Sequence, residues 1–303
     1  MKQQLPEEIA AVGQRLFRTL DSCELCPMEC RVNRLEGETG ECGCTAELKV
    51  ASCNLHFGEE PPLSGGGGSG TIFLSGCSLS CRYCQNYPIS QLITGSISSV
   101  DELKTDMLAL QRRGAENINF VTPDHMLPMI LMALGQAKAD GLGLPIVYNC
   151  SGYMKMEIAR LLDGIIDIYL VDMRYDDDAT AKAYSGCEKY VEHNRAAVKE
   201  MYRQVGALVV NKYGLATSGV IVRHLVLPEN LSGSAGIFNF LAEEVSPDIY
   251  VSLMSQYFPA HKAVGDEKIG RRIRAREYQA AVDAFYQAGL KNGYMQDTAY
   301  ESV

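Results

Sequence analysis

Short, mostly apolar runs alternate with longer amphipathic stretches from residue 71 to the end of the chain. Near-continuous apolar runs are typical of strands buried on both faces, and apolar spacings of three and four residues are typical of helices. The predicted strands are 71–75, 117–122, 145–149, 166–172, 219–228 and 248–254, and the predicted helices are 99–113, 125–140, 154–163, 178–205, 232–245 and 275–289.

Repeated strand–helix units predict an α/β fold whose parallel sheet is covered by helices. Six such units predict a partial (β/α)6 TIM-like barrel over residues 71–303. Residues 1–70 are predicted to form a cysteine-rich N-terminal extension, because the segment from Asp21 to about Phe57 lacks helical and strand periodicity. The stretch PPLSGGGGSG, residues 61–70, predicts a flexible link or a tight loop.

Charge and hydropathy exclude several classes of protein. The chain has 37 acidic and 28 basic residues, a net charge of −9, which repels a phosphate backbone. Its one basic run, Arg271 to Arg276, is more typical of a solvated helix face than of a nucleic-acid contact. No apolar run approaches the ~20 residues that cross a bilayer, and the N-terminus lacks a signal-peptide core. We therefore expect a cytoplasmic protein that binds neither nucleic acid nor membrane.

Eleven cysteines in a reducing compartment favour metal or redox chemistry over disulfide bonds. Cys77, Cys81 and Cys84 have the spacing CxxxCxxC directly after the first predicted strand, where parallel α/β sheets gather their reactive groups. Three thiolates can hold three irons of a 4Fe–4S cube and leave the fourth iron open to another ligand. The alternative is a zinc knuckle with a remote fourth ligand.

A second group of cysteines precedes the barrel and has the spacing C-x2-C-x3-C-x11-C. Four thiolates suit either a closed tetrahedral zinc site or a second, fully ligated 4Fe–4S cluster, and the sequence does not choose between them. Cys44 and Cys53 are alternative ligands, and a set of free thiols is the remaining interpretation. The four cysteines are Cys23, Cys26, Cys30 and Cys42.

The CxxxCxxC motif, with the aromatic Tyr83 before its last cysteine, resembles that of the radical S-adenosylmethionine (SAM) superfamily. Residues 20–300 are similar to its activating-enzyme branch, which includes pyruvate formate-lyase activating enzymes, and within it to a subgroup with cysteines ahead of the barrel. The resemblance implies that SAM chelates the open iron of a 4Fe–4S cluster, with Tyr83 near the adenine. It also implies reductive cleavage of SAM to a 5′-deoxyadenosyl radical, with electrons from a donor such as flavodoxin or ferredoxin.

The resemblance also assigns contacts with SAM. In the activating enzymes a GGE-type segment receives the SAM ammonium, and the equivalent VTPDH assigns that contact to Thr122 and Asp124, with a helix N-cap as the alternative. Gln256, Tyr257 and His261 follow the sixth predicted strand and are candidates to face the pocket, although a lone histidine is more often a packing or surface residue. The remaining contacts fall on Asn149, Cys150, Asp172, Arg174 and Arg223.

The sequence alone leaves three functions open. The leading one is abstraction of a glycine Cα hydrogen from a partner glycyl radical enzyme. A second is hydrogen abstraction from a small metabolite or a peptide. A third, of another class, is a non-catalytic iron–sulfur protein that transfers electrons or acts as a scaffold.

Overall fold

The computed structural model of this chain describes residues 4–296, with a large, mostly parallel sheet at the centre. Residues 1–3 and 297–303, at the outer ends of the two predicted segments, lie outside the described residues. The strands are β1 (Leu48–His56), β2 (Ser69–Leu74), β3 (Ser96–Ser98), β4 (Ile118–Val121), β5 (Ile146–Cys150), β6 (Ile168–Asp172), β7 (Val209–Val210), β8 (Ala216–Leu225), β9 (Tyr250–Met254) and β10 (Asn292–Met295). The helices are α1 (Pro6–Arg18), α2 (Pro61–Ser64), α3 (Tyr87–Ser90), α4 (Val100–Arg112), α5 (Leu127–Ala139), α6 (Met156–Leu161), α7 (Asp178–Ser185), α8 (Tyr190–Val205), α9 (Ser234–Phe240) and α10 (Ala275–Gln287).

The central sheet has the order β10-β9-β8-β6-β5-β4-β2-β1-β3. The strands from β2 to β10 along this order pair in parallel, whereas β1 pairs antiparallel with both β2 and β3. Each of the six predicted strands overlaps one of the parallel strands. The sheet is open, with β3 and β10 at its edges, so the predicted fold class, a partial TIM-like barrel, is confirmed.

Several elements differ from the sequence prediction. β10 was not predicted, and residues 61–70, predicted as a flexible link or tight loop, contain α2 and the start of β2. Residues 48–56, predicted to lack periodic structure, form β1 and extend the sheet. The single helix predicted for 178–205 is two helices, because Gly186 ends α7 in the left-handed conformation (φ +70°) and α8 begins only at Tyr190.

Helix α1 connects the N-terminal extension to the barrel by packing on α5. A Cβ atom on Gly13 would lie 2.6 Å from the carbonyl oxygen of Pro128, and one on Gly135 would lie 2.5 Å from that of Pro6. The two glycines therefore allow the helix backbones to approach closely. The predicted boundary at residue 70 falls inside β2.

The short helix α2 lies on the face of the sheet that carries Asn149, Asp172 and Arg223, which we call the inner face. Side chains alternate along a strand, so these three residues share that face with the apolar residues two positions earlier on β5, β6 and β8. Leu63 of α2 packs against this apolar group, which includes Val147, Ile168, Leu170, Ala216 and Ile221. The polar residues beyond it, towards the carboxyl ends of the strands, remain available for a site.

In the part of the chain that the structure describes, no helix is long and apolar enough to cross a membrane.

Candidate active site

The three-cysteine loop starts directly after β2 and turns at Gly76, which has a φ of +90°. A Cβ at Gly76 would lie 2.3 Å from Sγ of Cys44 and 2.7 Å from the carbonyl oxygen of Cys42, so glycine is required here for two reasons. The N-terminal cysteine segment therefore packs directly against the residue that precedes Cys77.

The thiols of the loop are supplied with hydrogen-bond donors. Cys81 Sγ accepts hydrogen bonds from Nη1 of Arg174 (3.1 Å) and from Oγ of Ser185 (2.9 Å). The backbone N–H of Leu79 donates to Cys77 Sγ (3.4 Å). Burial raises the pKa of Cys77, and this donor opposes the rise. Donors aimed at sulfur are what a cluster-bound thiolate needs, so the loop fits the proposed cluster.

Tyr83 is held in one orientation by a chain of hydroxyls. Its hydroxyl lies 2.7 Å from that of Tyr175, which lies 2.7 Å from Oγ of Ser185. The Tyr83 ring packs edge to face against Tyr257, with ring centroids 5.9 Å apart. Because Ser185 also contacts Cys81, the chain ties the aromatic ring to the cysteine loop.

A cavity of about 190 Å³ opens beside Tyr83 and Cys84 at the carboxyl ends of β6, β8 and β9. In parallel α/β sheets, this end of the strands carries the active site. The cavity brings together residues from four separate stretches of the chain: Tyr83, Cys84, Gln85, Asn86, Asp172, Arg174, Arg223, Leu225, Met254 and Gln256.

An ion-pair network forms one wall of this cavity. Asp172 accepts hydrogen bonds from Nη2 of Arg174 (2.6 Å) and from Nε of Arg223 (2.8 Å), and Arg223 Nη2 also donates to Oδ1 of Asn149 (2.7 Å). Burial by itself would raise the pKa of Asp172, but the two guanidinium groups hold it below its usual value. The wall therefore presents fixed charges of both signs, which suits a ligand that carries both an ammonium and a carboxylate.

Thr122, Asp124, Asn149 and Cys150, all expected at SAM, do not line this cavity, although Asn149 contacts its wall through Arg223. Cys150 is buried on the face opposite Asn149, because consecutive side chains of a strand alternate. Asp124 accepts a hydrogen bond from the hydroxyl of Tyr148 (2.9 Å), on that same opposite face, and burial raises its pKa to about 6. Thr122 has the left-handed backbone conformation (φ +57°) at the end of β4.

The residues after the sixth predicted strand divide between the cavity and the surrounding packing. Gln256 lines the cavity. Tyr257 is buried behind Tyr83, and its hydroxyl donates to the carbonyl oxygen of Ile269 (2.6 Å). His261 stacks on Tyr87, with ring centroids 4.7 Å apart, and so has a packing role, as expected of a lone histidine.

The four cysteines of the N-terminal extension line a second, small cavity of about 20 Å³. Within residues 4–296, no three Cys, His, Asp or Glu side chains converge tightly enough for a single metal ion. Burial raises the pKa of Cys26 to about 12, so this thiol stays protonated unless a cation stabilises the thiolate. The lining comprises Cys23, Leu25, Cys26, Cys30, Val32, Arg34, Gly40, Cys42 and His125.

Arg34 and His125, which the sequence analysis did not single out, complete this cavity. Arg34 is 1% exposed and donates to the carbonyl oxygens of Thr45 and His125, with Nη1 3.7 Å from Cys23 Sγ. His125 donates from Nε2 to the carbonyl oxygen of Ser75 (2.7 Å), and its buried Nδ1 has no hydrogen-bond partner among the described residues. In the sequence, the only signal for His125 was its position three residues after the end of the predicted strand 117–122.

The three-thiol loop, the strand-end cavity and the open parallel sheet are the combination expected of an iron–sulfur enzyme with a partial barrel. The family model of the radical SAM superfamily matches residues 71–230, more than half of the chain. This protein belongs to the radical SAM superfamily. Membership implies a 4Fe–4S cluster and SAM as cofactors.

Similar proteins extend the match beyond residue 230. An uncharacterized protein from Methanocaldococcus jannaschii is 28% identical over 96% of this chain and 79% of its own length. The crystal structure of a radical SAM methyltransferase from Sphaerobacter thermophilus has a TM-score of 0.51 at 13% identity, and covers 75% of this chain and 66% of that chain. The FeFe-hydrogenase maturase HydG from Carboxydothermus hydrogenoformans has a TM-score of 0.52 at 13% identity, and covers 97% and 71%. These two likenesses show a shared fold.

Proposed function

We propose that this chain binds a 4Fe–4S cluster through Cys77, Cys81 and Cys84 and cleaves SAM reductively to abstract hydrogen from a substrate in the barrel cavity. The observation that carries the proposal is the joining of the cysteine loop to the cavity wall by Arg174, which contacts both Cys81 and Asp172. When bound, the cluster and SAM together supply a strong hydrogen-abstracting radical.

The chain's own residues supply binding and orientation. Asp172 is suited to an ammonium or hydroxyl donor of SAM, and Arg174 and Arg223 are suited to its carboxylate. Tyr83 offers a ring fixed by Tyr175 and Tyr257 against which an adenine can pack. The apolar layer around Leu63 closes the inner face beneath the cavity and keeps water out from that side.

Two substrate classes fit the same chemistry. A small substrate is supported by the cavity itself, which is bounded by side chains from several strands. The glycyl radical activase role is supported by the resemblance in sequence to activating enzymes, and its signature would be a glycyl electron paramagnetic resonance signal near g ≈ 2.00 on a partner protein. With either substrate class, we propose an electron donor such as flavodoxin or ferredoxin and a reducing compartment such as the cytoplasm.

The N-terminal cavity is proposed to hold a second metal centre, either a 4Fe–4S cluster or zinc, around which the four thiols would move closer together than they are in the structure. Four thiolates around a metal form an anionic group, and the buried Arg34 next to Cys23 supplies a compensating positive charge. Because the ring of His125 contacts both this cavity and Ser75, the centre would buttress the three-cysteine loop.

Anaerobic reconstitution followed by dithionite and SAM tests the main proposal. The wild-type protein is expected to form 5′-deoxyadenosine, and Cys81→Ala to abolish it because one iron loses its ligand. Cys187→Ala, which removes a buried thiol outside the loop, is the matched control and should retain the product. An intact wild-type cluster that yields no 5′-deoxyadenosine would instead support the electron-transfer or scaffold function.

A further inference from the structure

A third cavity, of about 160 Å³, adjoins the active-site cavity on the inner face. The two share Arg223, Met254 and Gln256, so a molecule in one lies next to a molecule in the other. The loop between β1 and α2 brings two consecutive acidic residues into this third cavity. Its lining is Gly58, Glu59, Glu60, Pro61, Arg223, Ser252, Met254, Gln256, Tyr294 and Gln296.

The two carboxylates, Glu59 and Glu60, are almost fully removed from water. The side chain of Glu59 is 7% exposed, and Glu60 as a residue is also 7% exposed. A buried carboxylate is costly unless it is paired and hydrogen-bonded, so each of them needs a partner.

The partners available within the protein do not satisfy both acids. Glu59 Oε2 lies 3.8 Å from Nη1 of Arg223, a long contact, and Arg223 already donates to Asp172 and Asn149 at 2.8 and 2.7 Å. Oε2 of Glu60 is buried and has no hydrogen-bond partner in residues 4–296. Burial also raises the pKa of Glu59, and the nearby charge of Arg223 opposes this rise.

We propose that the Glu59–Glu60 pair binds a primary ammonium group of the substrate. This inference rests on the proposed function, since it treats the third cavity as the substrate side of the SAM site. An ammonium donates up to three hydrogen bonds in different directions, so it can satisfy Glu60 Oε2 and share Glu59 with Arg223. Across the two cavities, the carboxylates of Asp172, Glu59 and Glu60 outnumber the guanidiniums of Arg174 and Arg223, which favours a cationic ligand.

Anaerobic titration calorimetry on the reconstituted, SAM-loaded protein tests this assignment. The probes are ethylamine and 1,4-diaminobutane, compared with ethanol and butane-1,4-diol as neutral analogues. At least one amine is expected to bind about tenfold or more tightly than its analogue, and Glu60→Gln to weaken that amine by roughly 10- to 100-fold. Glu243→Gln, at an exposed glutamate, is the control and should leave the affinity unchanged.

Three results would overturn the proposal. The first is equal affinity of the wild-type protein for amines and their neutral analogues. The second is an amine affinity that is unchanged in Glu60→Gln. The third is a loss of SAM affinity in Glu60→Gln that equals the loss of amine affinity, which would assign the two carboxylates to SAM. The first comparison does not depend on any variant folding. Formation of 5′-deoxyadenosine in the same sample tests the proposed function separately, so a failure of one is distinguishable from a failure of the other.

Discussion

Thr122 has a backbone conformation that a β-branched residue rarely adopts. Its φ of +57° lies in the left-handed region, where steric strain costs about 1–3 kcal/mol. Glycine adopts this conformation without strain. The chain therefore has the backbone geometry of a glycine turn at a threonine.

Thr122→Gly is expected to raise the free energy of unfolding by about 1 kcal/mol, because the relieved strain exceeds the added entropy of the unfolded chain. Thr217→Gly, at an exposed position in β8, should lower it, since no positive φ is relieved there. Urea denaturation of the two variants measures both values. Equal destabilisation by the two substitutions would contradict the assignment of strain to Thr122.

Helix α7 connects the ion-pair wall to the cysteine loop. It follows β6 and the wall residue Arg174, and it ends at Ser185, whose hydroxyl donates to Cys81 Sγ. Asp177 caps its first turn by accepting from the N–H (2.7 Å) and the hydroxyl (2.7 Å) of Thr180. The position of the hydroxyl that donates to Cys81 thus depends on a surface cap.

Asp177→Ala is expected to lower the free energy of unfolding by about 1 kcal/mol at pH 7, whereas Asp177→Asn keeps the cap and should cost less. Hydrogen bonds from Thr180 lower the pKa of Asp177. Its contribution is therefore fully present above the unfolded pKa of about 3.9 and is lost as pH falls through the lower folded pKa. Urea titrations from pH 7 to pH 3 should show that the difference in free energy of unfolding between wild type and Asp177→Asn decreases as the pH falls. A difference that does not depend on pH would rule out the carboxylate as its source.

Strands and helices with a regular spacing of apolar residues were predictable from the sequence. Strands that form only because they pair with strands distant in the chain were not. The six apolar strands follow from their sequence because helices and neighbouring strands bury them on both faces. β1 was missed because its side chains are half-buried or exposed at one end of the sheet, so polar residues such as Lys49, Ser52 and Asn54 interrupt the apolar pattern. β10, a short strand with exposed side chains, lacked a signal for the same reason.

Some residues of the candidate site were also predictable from the sequence, and others were not. The cysteine spacing is local and predicted the loop, whereas the assignment of Asp172 and Arg223 to SAM came from the resemblance to a known family. The return of residues 57–64 to the inner face is a long-range event with no periodic signal, so Glu59 and Glu60 became visible only in the structure. Cys150 illustrates the limit of a residue-by-residue resemblance, since a side chain next to Asn149 points to the other face of the sheet.

At the scale of the whole molecule, the N-terminal cysteine segment packs against the three-cysteine loop, and we call these two regions the first and the second layer. Cys44 Sγ donates to the carbonyl oxygen of Ser75 (3.3 Å), and that same oxygen accepts from His125 (2.7 Å). Ser75 and Gly76 therefore lie between the N-terminal cavity and Cys77. A metal centre in the first layer would set the position of the loop in the second.

The double substitution Cys26→Ser and Cys42→Ser separates the two layers. If the N-terminal cavity holds a cluster, iron per anaerobically prepared chain should fall from about eight to about four; if it holds zinc, iron stays at about four and one zinc is lost. Loss of the centre should also lower the melting temperature by roughly 10 °C, because metal binding there is coupled to folding. Cys53, which the sequence left as an alternative ligand, lies on β1 and does not line the N-terminal cavity, so Cys53→Ser is the control and should change neither metal content nor melting temperature. An unchanged iron and zinc count in the double variant would leave free thiols as the interpretation of the N-terminal cysteines, and the buttress on Gly76 would then be protein packing alone.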